Sequence, residues 1–353
     1  KPTSKSSRRS GTTDLSSRGR PCRAALFHTG AGLEFTVLLD RGMDIAAASF
    51  QGRAMGWRST VGDVAPQYFE PEGVRWLRSF PGGLVTTCGL THVGVPDPDS
   101  ADTGEGLHGR IGHLPAENVG VRQQWVGNEY VLSVTGVMRQ AVVFGENLTL
   151  TRTISTRLGE KRLWIEDVVT NEGFSKTPLM LLYHCNIGWP AVDDGGEVLA
   201  PSRRIAPRDS DAAQGRENWG RVEPPTHNWA EKVYYHDMKP GRNGRVTVGV
   251  LNNRFAKGDG FGVYVTYDKR QLPRFAQWKQ MGEQDYVMGL EPCNCGVEGP
   301  AVDREAGLTH SLRAGEQRSF TLEVGAVTTR AEVSALRKAV GKTTPEFVED
   351  YRT

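Results

Sequence analysis

Apolar and polar positions alternate with a period of two through most of the chain. Tyr130, Leu132, Val134 and Met138 fall on one side of an extended segment, and so do Leu148, Leu150 and Ile154. Phe261, Val263, Val265 and Tyr267 repeat the pattern, as do Phe320, Leu322, Val324 and Ala326. Successive side chains of an extended chain point to opposite faces, so each run predicts a half-buried strand. Runs at 33–39, 45–50, 162–170, 178–186, 245–251 and 286–291 read the same way. Turn-forming stretches such as EGFSKTP, KPGRNGR and AKGDGFG separate them. Many strands with long connections predict an all-β protein, a large antiparallel sandwich with few short helices.

Helical spacing is confined to the end of the chain. Thr329 and Glu332 form a capping box, and Val333, Leu336 and Val340 then recur at helical intervals. Residues 1–20 hold six serines and six basic residues against one acid, too polar to order themselves. The expected organisation is a flexible tail over 1–23 and a single domain over 24–345 that ends in the helix. Long loops at 96–107 and 190–230 are expected to cover a binding face.

Composition narrows the function. With 353 residues, 38% hydrophobic and 24% charged, the chain can bury a sizeable core. The net charge is only +2, which gives no field for nucleic acid. Cys22, Cys88, Cys185, Cys293 and Cys295 lack the paired spacings of a zinc site or a disulfide framework, so reduced thiols are expected and no metal. No apolar run reaches membrane-spanning length and the start is polar, from which a cytoplasmic protein without a membrane partner is expected.

Three stretches carry candidate chemistry. In LLYHCNIGWP, residues 181–190, Met180, Leu182, His184 and Asn186 share one face, which changes from oily to polar along its length. A strand running from a core into a pocket floor has this pattern, although a single buried histidine also serves as a core residue with backbone partners. In GLHGRIGHLPAE, His108 and Arg110 sit among glycines that let backbone approach a ligand. In YVMGLEPCNCGVEG, Val287, Gly289 and Glu291 share a face, and Pro292 is expected to end the strand. A carboxylate that takes a proton from a hydroxyl, opposite an imidazolium that gives one to an ether oxygen, opens a hemiacetal. Such chemistry requires no cofactor.

The order LHGR, YHCNIGWP, GLEP resembles the aldose 1-epimerase (galactose mutarotase) superfamily. The wider pattern, including DRGMDI, FPGGLVTTCGLTHVG and FGENLTL, is most similar to a poorly characterised mutarotase-like branch, a family of unknown function, over residues 24–327. The resemblance implies a large twisted β-sandwich, the galactose mutarotase-like supersandwich, acting on a small-molecule carbohydrate. It implies Glu291 as general base, His184 as general acid toward the ring oxygen, and His108 binding or polarising the same region. Arg110 could orient a sugar hydroxyl or acid group.

Other positions divide between pocket and scaffold. The aspartate that mutarotases use on sugar hydroxyls has no clear match, with Asp209 and Asp194 in the plausible stretch. Cys88 and His92 of TCGLTH fall near the expected pocket, as a packed thiol and a lining ring. Arg41 of DRGMDI either braces a turn or contacts sugar, and Trp278 either stacks on a sugar face or fills a core. The basic stretches PSRRIAPR and KPGRNGR read as solvated loops; one that reached the pocket would favour an acidic or phosphorylated sugar. The expected activity is that of a mutarotase or epimerase of an aldose or its derivative. A sugar isomerase or lyase using the same pair, or a non-catalytic carbohydrate-binding protein, are the alternatives. The sequence sets no oligomeric state.

Overall fold

Each alternating run becomes a strand. The computed structural model describes residues 13–17, 20–96 and 105–352. Glu129–Ala141, Asn147–Arg157, Arg162–Asn171, Gln317–Val327, Phe261–Asp268 and Arg245–Asn252 lie side by side in an antiparallel sheet, flanked by Glu117–Val126 at one edge and Glu197–Leu199 at the other. A seven-stranded sheet runs in the order Glu346–Phe347, Ser202–Pro207, Lys232–Met238, Arg274–Met281, Tyr286–Cys293, Met180–Ile187, Thr86–Leu90. A third sheet of five strands spans Thr13–Ser17 to Arg53–Ala54.

One large core joins the three sheets. The five-stranded sheet contributes Phe35 and Val37, the eight-stranded sheet Leu150 and Val263, and the seven-stranded sheet Tyr183 and Leu290. Burying about 25 cal/mol for each Å² of apolar surface makes this layer the dominant stabilising term of the sandwich. Within it, Arg152 binds Asp167 through two bonds of 2.9 and 2.7 Å, and the Tyr183 hydroxyl donates to the same carboxylate at 2.6 Å. Arg152 is fully buried, and its remaining donors reach the Gly42 carbonyl and the Thr87 hydroxyl.

The seven-stranded sheet is buried on both faces. Leu181, Tyr183 and Cys185 point into the main core, while Met180 and Leu182 join a second cluster with Cys88, Ala276 and Cys293 on the opposite face. His184 and Asn186 continue that second face. The 3-10 turn Arg75–Ser79 and the following Phe80 cover it, with Trp76 and Phe80 in the same cluster.

Three details differ from the sequence reading. The strand Tyr286–Cys293 runs through Pro292, which pairs with Phe275 and ends nothing. The stretch 190–230 holds two strands, Glu197–Leu199 and Ser202–Pro207, and the short helix Ser210–Gln214, so it is partly sheet and not loop. The hairpin of Thr13–Ser17 with Arg20–His28 begins inside the segment read as a tail over 1–23 and crosses its boundary. Residues 1–12, 18 and 19 of that tail, and 97–104 of the 96–107 loop, lie outside the described residues.

The C-terminal helix spans Arg330–Val340 and buries Val333, Leu336 and Val340 against Leu251 and Val327. The Thr329 hydroxyl accepts the Glu332 amide at 3.3 Å, while the Glu332 carboxylate accepts the Thr328 amide at 2.9 Å, one residue before the expected partner. Among the described residues, no helix is long and apolar enough to cross a membrane.

Candidate active site

Strand register brings the central pair together. Leu182 pairs with Cys293 and Asn186 with Gly289, which sets His184 opposite Glu291 on the same face. His184 Nε2 lies 3.2 Å from Glu291 Oε1, and the two side chains keep 7% and 4% of their surface exposed. On the other flank Trp278 pairs with Gly289 and Ala276 with Glu291. Gly289 keeps the space between the two groups open. A Cβ there would stand 2.5 Å from Glu291 Oε1, 2.9 Å from the Trp278 Cβ and 3.4 Å from His184 Cε1.

His108 enters from a loop held by backbone. Its carbonyl accepts from Gly89, its amide donates to Gly94, and its Nδ1 accepts the Gly94 amide at 3.3 Å. Nε2 is therefore the nitrogen left to carry the ring proton. His108 has φ 60°, a left-handed conformation that a non-glycine residue holds at a cost of about 1–3 kcal/mol. Its ring stands at 90° to that of His184, with centroids 6.0 Å apart.

Aromatic rings close around His184. Phe80 and Trp278 each lie 5.3 Å from it, Trp57 packs 6.2 Å from Trp278, and Trp76 lies 4.9 Å from His108. Trp57 and Trp278 are only half-buried and form the open side. There the Glu231 carboxylate accepts Trp278 Nε1 at 2.7 Å and Arg208 Nη2 at 3.0 Å.

This enclosure sets the proton inventory. Burial raises the Glu291 carboxyl to about 8, helped by the charge of Glu231 and opposed by Arg208. Burial lowers His184 to about 4, against the Asn186 amide, which favours the charged ring. Burial, with His184 and His92 alongside, lowers His108 to about 3. Near neutral pH the Glu291–His184 pair therefore holds one proton, and His108 is a neutral donor. His184 Nδ1 and Asn186 Oδ1 are both buried without a hydrogen-bond partner, as is Glu291 Oε1 apart from its contact with His184.

The structure sorts the other candidates. Trp278 and Asn186 border the pair, and the Asn186 amide donates to the Gly83 and His184 carbonyls. Arg110 points elsewhere, donating to the Ala141 carbonyl at 3.0 Å. His92 is buried and its Nε2 bonds the Val95 carbonyl at 3.0 Å, which braces the loop. Cys88 is a fully buried thiol whose pKa burial pushes well up. Arg41 is an internal brace with its guanidinium on the Val64 and Ser79 carbonyls and on His113. Asp209 caps the helix Ser210–Gln214 by accepting the Ala212 amide at 2.9 Å, and it also accepts from Arg208. Asp194 lies 3.9 Å from Arg254.

Five residues of the surroundings escaped the sequence reading. Trp57, Trp76 and Phe80 come from irregular segments with no period to follow. Arg208 ends PSRRIAPR, a stretch whose charge alone read as solvated, and Glu231 follows a loop. Among the described residues no group of three or more His, Cys, Asp or Glu side chains is placed to hold a metal ion.

Solved structures share this architecture. A protein of Klebsiella pneumoniae subsp. pneumoniae MGH 78578, provisionally described as an aldose 1-epimerase, aligns at 26% identity and TM-score 0.87 over 95% of this chain and 88% of that one. Galactose 1-epimerase of Lactobacillus acidophilus NCFM aligns at 13% identity and TM-score 0.57, over 90% of this chain and 98% of that one. A galactose mutarotase-like protein of Clostridium acetobutylicum gives 13% and 0.57, over 87% and 96%. The fold is thus the galactose mutarotase-like sandwich. No functionally curated protein matches the sequence. The chain belongs to the family described as a domain of unknown function, DUF4432, which matches residues 19–326.

Proposed function

We propose that the protein is a cofactor-independent mutarotase that interconverts the anomers of an aldose or aldose derivative. The observation that carries this reading is the 3.2 Å contact of His184 Nε2 with Glu291 Oε1 inside an aromatic enclosure. Hemiacetal opening involves two oxygens on one carbon, so an acid and a base at neighbouring positions match the reacting group. Separate, distant residues would not.

The pair works on one proton. Once the proton crosses the 3.2 Å contact from Glu291, where it rests, to His184, the Glu291 carboxylate takes the anomeric hydroxyl proton while His184 gives its proton to the ring oxygen, and the C1–ring oxygen bond breaks. The products are the open aldehyde, a neutral Glu291 carboxyl and a neutral His184. Rotation about C1–C2 presents the other carbonyl face. The ring hydroxyl then attacks C1 as its proton returns to His184, and the carboxyl reprotonates the anomeric oxygen. No proton is gained or lost over the cycle. His108 donates from Nε2 to the sugar, and Trp278 and Trp57 offer flat apolar surfaces to the sugar face.

Saturation-transfer NMR across a panel of aldoses tests the reading. Anomer exchange accelerated by the wild type and lost in Glu291→Gln and His184→Asn is expected. A product with a new double bond or a rearranged skeleton would assign the pair to lyase or isomerase chemistry instead. Sugar binding without exchange would leave a carbohydrate-binding protein.

A further inference from the structure

We propose that a second cavity, of 440 Å³, is a binding site for a small molecule bearing a phosphate or carboxylate group. It lies at the far end of the strand that carries Trp278. Arg274, Ala276 and Trp278 alternate on one face, with Arg274 paired to Cys293 and Ala276 to Glu291. None of His184, Glu291, His108 or Trp278 lines the cavity. The volume falls in the range of about 300–1,000 Å³ usual for small-molecule sites.

The charge account singles out an anion. Arg204, Arg274 and Arg352 line the cavity against only two carboxylates, Asp237 and Asp350. Both acids are already engaged. Asp237 takes Lys269 at 2.6 Å and Arg203 at 3.0 Å, and Asp350 takes Arg352 at 2.7 Å. Arg274 makes no ion pair among the described residues. Its guanidinium lies 5.8 Å from the centre of the Tyr351 ring, whose own stack on Tyr235 has a centroid distance of 3.9 Å. An arginine over an aromatic ring and without an ion pair keeps its N–H donors for a planar, two-point contact, the geometry that carboxylates and phosphates accept. The two tyrosines supply a wall for the body of the ligand. His310, also in the lining, is held low by burial and by Arg318 and Arg274, so the cationic surplus here comes from the arginines.

The inference stands independently of the mutarotase reading, because it concerns other side chains and a binding readout. Isothermal titration of the full chain with inorganic phosphate and with succinate, at low ionic strength, tests it. Saturable binding of either anion, weakened at least tenfold in Arg274→Gln and less in Arg274→Lys, is expected; the tighter anion identifies the headgroup. Arg270→Gln, at an exposed arginine already paired with Asp268, should leave the affinity unchanged. Binding absent for both anions, or weakened equally by Arg270→Gln and Arg274→Gln, overturns the site. Far-UV circular dichroism of each variant separates lost binding from lost folding.

Discussion

Gly289 and Glu291 alternate on one face of one strand, and a Cβ on Gly289 would stand 2.5 Å from Glu291 Oε1, closer than packed atoms approach. The carboxylate can hold its position beside His184 only while residue 289 has no side chain. Gly289→Ala should therefore fold with a loss of about 1–3 kcal/mol, typical of an overpacked site. It should also lower kcat about a hundredfold, since a shift of about 1 Å in a reacting group costs that much. Anomerase rates beside urea denaturation check both. Wild-type kcat in a folded Gly289→Ala protein would separate this face of the strand from the chemistry.

The one-proton pair fixes a pH profile. Activity requires that His184 does not hold a second proton while Glu291 keeps its own, which fails below about 4, and that the last proton stays on the pair, which fails above about 8. The dependence of kcat/KM on pH should be a bell with limbs near these values, belonging to the pair and not to either residue alone. Glu291→Gln should lower the rate about 10²–10⁴-fold and flatten the alkaline limb. A profile that rises without limit to pH 10 would contradict this arrangement.

Stability carries the same signature with a worked sign. Glu291 is raised from 4.5 to about 8 in the folded chain, so its contribution is complete below 4.5 and is lost as pH rises through 8. His184 is lowered from 6.5 to about 4, so its contribution is complete above 6.5 and is lost as pH falls through 4. Between pH 5 and 9 the Tm of the wild type should fall further than that of Glu291→Gln, as differential scanning calorimetry would show. Parallel curves for the two proteins would mean that burial does not perturb Glu291.

Much of this was legible in the chain, and physics explains the remainder. Half-buried strands announce themselves by alternation, which is why 147–154 and 261–267 read correctly. Thr86–Leu90 is buried on both faces and Glu117–Val126 is exposed almost throughout, so neither alternates. His184 and Glu291 were visible because polar groups on an apolar face are costly and must have partners. Their neighbours were not visible, because Phe80, Trp57 and Arg208 arrive from loops whose paths depend on tertiary packing. Asp209 shows the opposite failure: an aspartate in the expected stretch serves as a helix cap, a role that local sequence allows equally well.

Arg152 and Asp167 form a fully buried ion pair directly behind the strand of His184, sharing the Tyr183 hydroxyl. Removing Asp167 leaves Arg152 only the longer contact with Asp44, at 3.4 Å, and breaking a buried pair in this way costs about 3–5 kcal/mol. Asp167→Asn should lose stability of that order in urea denaturation, while the double replacement Arg152→Met with Asp167→Leu should recover much of it. Equal losses in the single and double variants would show that shape, and not charge, makes this contact matter.

Trp278 makes two contacts that substitution can separate. Its ring lies 5.3 Å from His184 at the open side of the enclosure, and its Nε1 is tied to Glu231 at 2.7 Å. Trp278→Phe keeps an apolar face and removes the tether, whereas Trp278→Ala removes both. If the ring stacks on the sugar, KM should rise up to several-fold in the phenylalanine variant and about tenfold in the alanine variant, consistent with the loss of about 0.5–1.5 kcal/mol of aromatic contact. The tether adds a second readout. Freed from Trp278, Glu231 keeps Arg208 as its partner, and any movement of this charge shifts the alkaline limb of the pH profile, because Glu231 is one cause of the raised Glu291 pKa. An alkaline limb displaced in Trp278→Phe together with a raised KM is the expected pair of results. A KM unchanged in Trp278→Ala would place sugar binding on another surface of the enclosure.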